Sequence, residues 1–350
     1  MQIITSDEAE LYCSEKLKQD VGEEDLKEII EIASGYRLNE IKQQAFKKLG
    51  ELLYFSHRYT DAFSAFCHAL KLTEKLEKKE MLGYMYNFLG ACKYEDLDFI
   101  ASLEYFDKAV LYAEMYKDEI TELKSLSNIS KCYRRLSWLD RAIQYADLCM
   151  EKAERTNQVE RYIYASIIKI NCYEDKKEYD IAIKLCEQLI CKIQHREEPI
   201  IGNIYNNLGG LYLLNGDFEN SLKNFDKSIK FRAEKDRGTL SHTLIDKAQL
   251  YIPKKMYMQA IELLKSGCKM ALQYNDYDYA LRSYRELINV YEAIEAFDSI
   301  EELYIKITDL LKVKNFQELQ KVYLELSKYY IKQGKLDKAD EFMKLSLEEA

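Results

Sequence analysis

Six asparagines fall at three places in a frame that recurs every 39 or 40 residues. Asn87 and Asn206 share one place, Asn128 and Asn207 the next, and Asn171 and Asn289 a third, three residues further on. An Asn amide carries a donor and an acceptor side by side, which matches one peptide unit of an extended chain. Asn is also a poor helix former, about half a kcal/mol worse than Ala, so its return in helical segments asks for a cause. Two causes stand open: a ladder that holds a ligand's backbone, or ordinary solvated faces. Charged side chains join the same face, with Lys131 and Arg134 in the third unit, Asp246 in the sixth and Arg285 in the seventh.

Other chemistry is thinly provided. The chain has no GxxxxGK[ST], no GxGxxG and no HExxH. His57, His68, His195 and His242 belong to different units. Cys186 and Cys191 stand five apart with His195 beyond them, a poor spacing for one metal on one helix, and packing or solvent exposure accounts for the trio better. Acidic pairs such as Glu301-Glu302 and Glu348-Glu349 fit polar helix faces. No catalytic constellation emerges, so neither an enzyme nor a cofactor is expected.

The elements that position these residues follow from the frame itself. Small or apolar residues recur at Gly50, Gly90, Ser130, Ile170, Gly209, Ala248, Ile288 and Ser327. Twelve residues after each come Ala62, Ser102, Ala142, Ala182, Ser221, Ala260, Ile300 and Ala339. Between the columns lies a turn, best seen at Asn215-Gly216-Asp217. On either side the apolar residues run at helical spacing: Leu208, Leu211 and Tyr212 before it, Phe218, Ser221, Leu222, Phe225 and Ser228 after it. Two antiparallel helices approach closely only where one lacks bulk, which places the small columns at the crossings. Three residues before the second column a large apolar residue recurs, from Tyr59 and Phe99 to Phe297 and Leu336, and should plug the turn end of each hairpin. A Tyr column (Tyr133, Tyr173, Tyr212, Tyr251, Tyr291 and Tyr330) assigns much of the high Tyr content, 29 residues, to packing between units.

Composition agrees. Of 350 residues only Pro199 and Pro253 are proline, and no Gly- or Pro-rich linker interrupts the chain. The formal net charge of −9, with both signs interspersed, is no footprint for nucleic acid. Nine Cys without a CxxC pair suit buried free thiols in a reducing compartment. With no apolar run near 18 residues and no signal sequence at the start, a cytoplasmic location is expected, without membrane contact.

The columns resemble the tetratricopeptide repeat. Leu208-Gly209, Tyr212, Ser221, Phe225 and Ser228 fill that family's large–small, Tyr, Ala, aromatic and Ala positions in the fifth unit. Leu49-Gly50, Ala62, Phe66 and Ala69 do so in the first, and Leu89-Gly90, Ser102, Phe106 and Ala109 in the second. The resemblance implies an all-α fold, a right-handed superhelix of antiparallel helix pairs. Residues 1–42 are expected to form a degenerate capping pair, its stripe Leu26, Ile30 and Ala33, and residues 43–350 eight pairs in one continuous array. Units four and seven depart, with Ile170 and Ile288 at the small position, which suggests wider helix spacing there. The period exceeds the family's usual length of 34, and the excess falls where Lys, Glu and Leu continue without Pro, so longer helices are expected rather than longer loops.

In such arrays ligands lie along the first helices. Repeats of this length with Asn on that face resemble the Rap–NprR–PlcR–PrgX peptide-pheromone receptors of Gram-positive bacteria. That resemblance implies a short peptide in the concave groove against Asn87, Asn128, Asn171 and Asn207, and the repeat places that should face the groove add Lys131, Asn206, Asp246, Arg285 and Asn289 as peptide contacts. It casts the chain as the sensing portion of a transcriptional or signalling regulator, and a homodimer is compatible with it. A helix-turn-helix domain, or an N-terminal bundle with a catalytic Gln, would be needed for the family's outputs, and residues 1–40 supply neither. The family's clamp for C-terminal carboxylates is also unmet, since unit two gives Asn87 and Ala91, unit three Asn128, and unit four Tyr164 and Ile168. The alternative is a general scaffold whose partner is a folded protein.

Overall fold

The computed structural model describes residues 5–193, 199–312 and 316–347, which fold into α-helices and turns with no strand among them. Two compact units divide the chain, residues 1–178 and 179–350. The first holds α1 (Ser6–Leu17), α2 (Glu23–Gly35), α3 (Asn39–Phe55), α4 (Tyr59–Lys75), α5 (Leu82–Glu95), α6 (Phe99–Tyr116), α7 (Glu119–Arg135), α8 (Leu139–Arg155) and α9 (Val159–Asp175). The second holds α10 (Tyr179–Ile193), α11 (Ile200–Leu214), α12 (Phe218–Lys235), α13 (Leu240–Ala248), α14 (Tyr257–Gln273), α15 (Tyr277–Ala293), α16 (Phe297–Leu311), α17 (Phe316–Lys332) and α18 (Leu336–Ser346). Within each unit neighbouring helices pack in antiparallel succession, and first helices also meet the next first helix, α5 on α7, α7 on α9, α11 on α13 and α13 on α15.

Turns are short and share one geometry. In the α3–α4 turn the Arg58 N–H donates to the Leu53 carbonyl at 2.9 Å and the Ser56 N–H to Leu52, while His57 takes a left-handed φ of 60°. This pairing satisfies the last carbonyls of one helix before the Arg58 carbonyl opens the next. Gly216 (φ 82°) occupies the same place in the α11–α12 turn, and Asp217 then accepts from the Asn220 N–H to cap α12. Gly334 (φ 71°) takes that place in the α17–α18 turn, whereas in the first unit the left-handed residue is not Gly: Glu77, Leu97, Lys117 and Ser137 recur there at intervals of twenty. With turns this short, the added length of each repeat lies in helices such as α3, α4 and α7, each of 17 residues.

The small columns meet as expected, and for two reasons. At four crossings a hydroxyl twelve residues from its partner bonds the partner's chain: Ser102 Oγ to Gly90 O at 2.7 Å, Ser130 Oγ to Ala142 O at 2.6 Å, Ser221 Oγ to Gly209 O at 2.6 Å and Ser327 Oγ to Ala339 O at 2.7 Å. Glycine also makes room for an aromatic ring sixteen residues on. A Cβ on Gly50, Gly90 or Gly209 would stand 2.8–2.9 Å from Phe66, Phe106 or Phe225. In the fourth repeat Ile170 stands at the small position and is buried, and sixteen residues on the sequence carries Cys186 in place of a ring.

Two expectations need correction. The large apolar column marks the first residue of the second helix in the eight repeats, and Tyr59 and Phe99 pack edge-on against Tyr54 and Tyr94 across their turns, but Phe297 and Leu336 are 39% and 66% exposed. In α2 the buried stripe is Leu26, Ile29 and Ala33, with Ile30 only half-buried. The Tyr column does tie helices together, as when Tyr212 donates to Glu187 of α10 and Tyr330 to Glu301 of α16. Seven of the nine Cys are buried, Cys67 is partly covered and Cys191 is exposed.

Candidate functional site

In the first unit Asn87 and Asn128 serve the fold. Asn87 on α5 is only 8% exposed, and its Oδ1 accepts from Ser125 Oγ at 3.1 Å and Asn128 Nδ2 at 3.2 Å, both on α7. The amide therefore links two successive first helices, and a buried carbonyl with two donors has no vacancy to offer. Lys131 sits 4.6 Å above the Tyr164 ring, and Arg134 grips Asp175 through Nε at 2.6 Å and Nη2 at 3.2 Å. Asn171 is half-buried without a side-chain hydrogen bond among the described residues.

The second unit arranges the same repeat positions differently. Asn206 on α11 donates through Nδ2 to Asp246 Oδ2 on α13 at 2.7 Å, and the Asp246 Oδ1 meets Arg282 of α15 at 2.8 Å. One carboxylate thus joins three first helices. Asn206 Oδ1, however, is buried with no partner. Gln249, one helical turn beyond Asp246, is in the complementary state: its Nε2 is buried and also unpartnered. A buried polar atom left without a partner costs about 1–3 kcal/mol, so the acceptor and the donor are each an unmet demand.

Around this pair the network continues. Arg282 lies 5.6 Å from the Tyr279 ring centre, and Tyr279 stacks on His242 at 3.5 Å. His242 Nε2 is 2.6 Å from Asp276, whose other oxygen accepts from the Tyr279 N–H at the start of α15. Burial, reinforced by the nearby Asp246 carboxylate, pushes the Tyr279 phenol above its ordinary range. Behind it Arg232, 2% exposed, donates to Asn203 Oδ1 and to the Thr239 carbonyl, and its Nε finds no acceptor. Burial pulls that guanidinium down from its usual value.

The remaining sequence candidates are dispersed. Arg285 pairs with Glu318 at 2.8 Å, Asn207 is half-buried and Asn289 exposed, neither of these two Asn with a side-chain hydrogen bond among the described residues. Sequence reasoning passed over Asn203, His242 and Arg282, which share one place in their repeats, three residues before that of Asn87 and Asn206. Gln249 shares its place in the repeat with Asn171 and Asn289. Of the cysteine–histidine trio, His195 lies outside the described residues, and no metal-ligating cluster occurs among the described ones. No described helix is long and apolar enough to cross a membrane.

Comparison with known proteins agrees with this architecture. The tetratricopeptide repeat family model matches residues 202–235 and 320–350, the first range covering nearly all of α11 and α12. Response regulator aspartate phosphatase E of Bacillus subtilis (strain 168) is 20% identical over 265 residues, 70% of this chain and 65% of the relative, so the chain spans less than two thirds of that protein. The apo form of the quorum sensor NprR from B. thuringiensis is 17% identical, with 98% of each chain covered and a TM-score of 0.58. The Rap conjugation gene regulator of plasmid pLS20, in complex with the Phr* peptide, is 16% identical, with 97% of this chain and 92% of that chain covered and a TM-score of 0.54.

Proposed function

We propose that this chain, built of tetratricopeptide repeats and resembling the Rap and NprR receptors in fold, is the peptide-sensing array of a bacterial regulator. The peptide backbone lies on the first helices of the second unit. The observation that carries the reading is the empty pair beside Asp246. Asn206 Oδ1 is an acceptor for a peptide N–H and Gln249 Nε2 a donor for a peptide carbonyl, both buried and both unpartnered. A peptide unit supplies both groups, so one ligand answers both demands without new charge. The Asp246–Arg282 pair spans α13 and α15, and a ligand seated beside it favours whichever arrangement of these helices completes its bonds. That differential contact is the means by which occupancy reaches an output.

The likeness to a quorum sensor and to a regulator solved with a peptide supports the ligand class. The phosphatase named among the relatives leaves a binding role in place, because the groups gathered here are amides and ion pairs engaged with one another. Asn207 and Asn289 are secondary contacts in this reading, and Asn87 is part of the framework. Titration calorimetry with short synthetic peptides tests it. Gln249→Ala should weaken binding about tenfold, the loss of one well-placed hydrogen bond. Unchanged affinity would mean that a trapped water, rather than a ligand, answers the Gln249 amide.

A further inference from the structure

The second unit carries a cavity of about 380 Å³ between α10 and α12, floored by α11. Leu208 and Ile190 form its apolar base, and Lys223 and Lys227 stand on the α12 wall. A shallower hollow of about 480 Å³ continues along α12 beside Lys223, Lys227 and Lys230. The two lysines are four residues apart on one helix, where like charges repel and cost a few tenths of a kcal/mol.

Neither has an ion-pair partner among the described residues. The nearest acids are accounted for: Asp226 is drawn to Lys247 at 2.6 Å, and Glu187 accepts from the Tyr212 hydroxyl at 2.8 Å. Glu219 stands one turn before Lys223 and makes no ion pair with it. Lys227 rests 5.2 Å from the Tyr205 ring, which holds the ammonium at the cavity.

The other repeats sharpen the contrast. At the places of Lys223 and Lys227, α6 has Glu104 and Lys108, α14 has Glu262 and Ser266, and α16 has Glu302 and Lys306. The α16 pair closes on itself at 2.6 Å. Only the fifth repeat puts lysine at both places, in a chain whose net charge is −9, and there two ammonium groups without an ion-pair partner among the described residues border an apolar-floored cavity.

We propose that this cavity docks an acidic segment of a protein partner. Two of the segment's carboxylates, about one helical turn apart, would meet Lys223 and Lys227, and an apolar side chain between them would enter against Leu208 and Ile190. The site takes its charges from the second helix α12 and uses none of the first-helix amides, so it stands whether or not a peptide binds there.

The test is fluorescence anisotropy with the full chain and a fluorescein-labelled octapeptide, Asp-Glu-Leu-Glu-Asp-Phe-Glu-Asp. Binding is expected at low salt and should weaken severalfold as salt rises, since exposed charge pairs are screened. Lys223→Glu with Lys227→Glu should reduce affinity at least tenfold, and Lys223→Gln with Lys227→Gln by an intermediate factor. Lys71→Glu on the first unit should change nothing, and all variants should keep wild-type helicity by circular dichroism. The Asn/Gln analogue of the peptide should not bind. Failure of the acidic peptide to bind, or undiminished binding by the double Glu variant, overturns the proposal. So does loss of binding on Asn206→Ala, which would place the probe on the first-helix face.

Discussion

Asn87 and Asn206 hold the same place in two repeats, one in each compact unit, and end in opposite states. Asn87 is saturated: its carbonyl accepts from Ser125 and Asn128 of the next first helix. Asn206 turns its nitrogen outward to Asp246, and its carbonyl is left buried and empty. The difference comes from the neighbouring repeat. Where that repeat offers donors, Ser125 and Asn128, the amide becomes a structural bolt. Where it offers a carboxylate, the amide must donate, and its acceptor is released for something else. A residue type at a repeat position therefore defines a chance of binding, and the residue forty places on decides how it is used.

The largest effect expected from breaking this contrast is at Asn87. Asn87→Ala strands a buried Ser hydroxyl and an Asn amide, so urea unfolding should show a loss of about 2–3 kcal/mol. Asn206→Ala removes one bond to a carboxylate but also an orphaned acceptor, and should cost about 1 kcal/mol or less. Equal losses would remove the distinction. What the two units share is the next test. Gly90→Ala and Gly209→Ala each push a methyl into a Phe ring at 2.8 Å and should cost a similar amount, about 1–2 kcal/mol net of the gain in helix propensity. Gly210→Ala, beside Gly209 but with nothing within 4 Å, should instead stabilise by up to about 1 kcal/mol. A cost at Gly210 or none at Gly209 would refute the crossing geometry.

A smaller effect concerns a contact peculiar to the second unit. Glu301 on α16 is held down to about 2, first by Lys338, then by the Tyr330 hydroxyl and Lys335, so it ties α16 to α17 and α18. A depressed carboxylate stabilises the fold above its unfolded value near 4.5, and that contribution fades as pH falls from there towards 2. Glu301→Gln should therefore lower stability by about 0.5–1 kcal/mol at neutral pH, after allowance for solvent screening, and by nearly nothing near pH 2. A loss independent of pH would point to packing instead.

Much of the scaffold was legible in the residues. The small columns, the aromatic starts of second helices and the Asn-Gly-Asp turn each restrict backbone geometry by local sterics, and local sterics can be read from spacing. Turns whose left-handed residue is Leu97 or Glu77 carried no such signal, because tertiary closure rather than propensity imposes the strain. The candidate face was legible as a set of positions: Asn206 and Asp246 were found, and Arg282 and His242 sat unread three residues before the place of Asn206 in their repeats. Which Asn is free was not legible. That depends on hydrogen-bond pairing between repeats, where Ser125 and Asp246 are decisive and look alike as polar residues in a sequence.

The central claim is that the empty carbonyl of Asn206 is a ligand contact and the filled carbonyl of Asn87 is not. Peptide affinity measured by calorimetry for Asn206→Ala and Asn87→Ala, side by side at a temperature where both are folded, tests it most directly. About a tenfold loss for Asn206→Ala with wild-type affinity for Asn87→Ala is the predicted result; equal losses, or a loss at Asn87 alone, would contradict it.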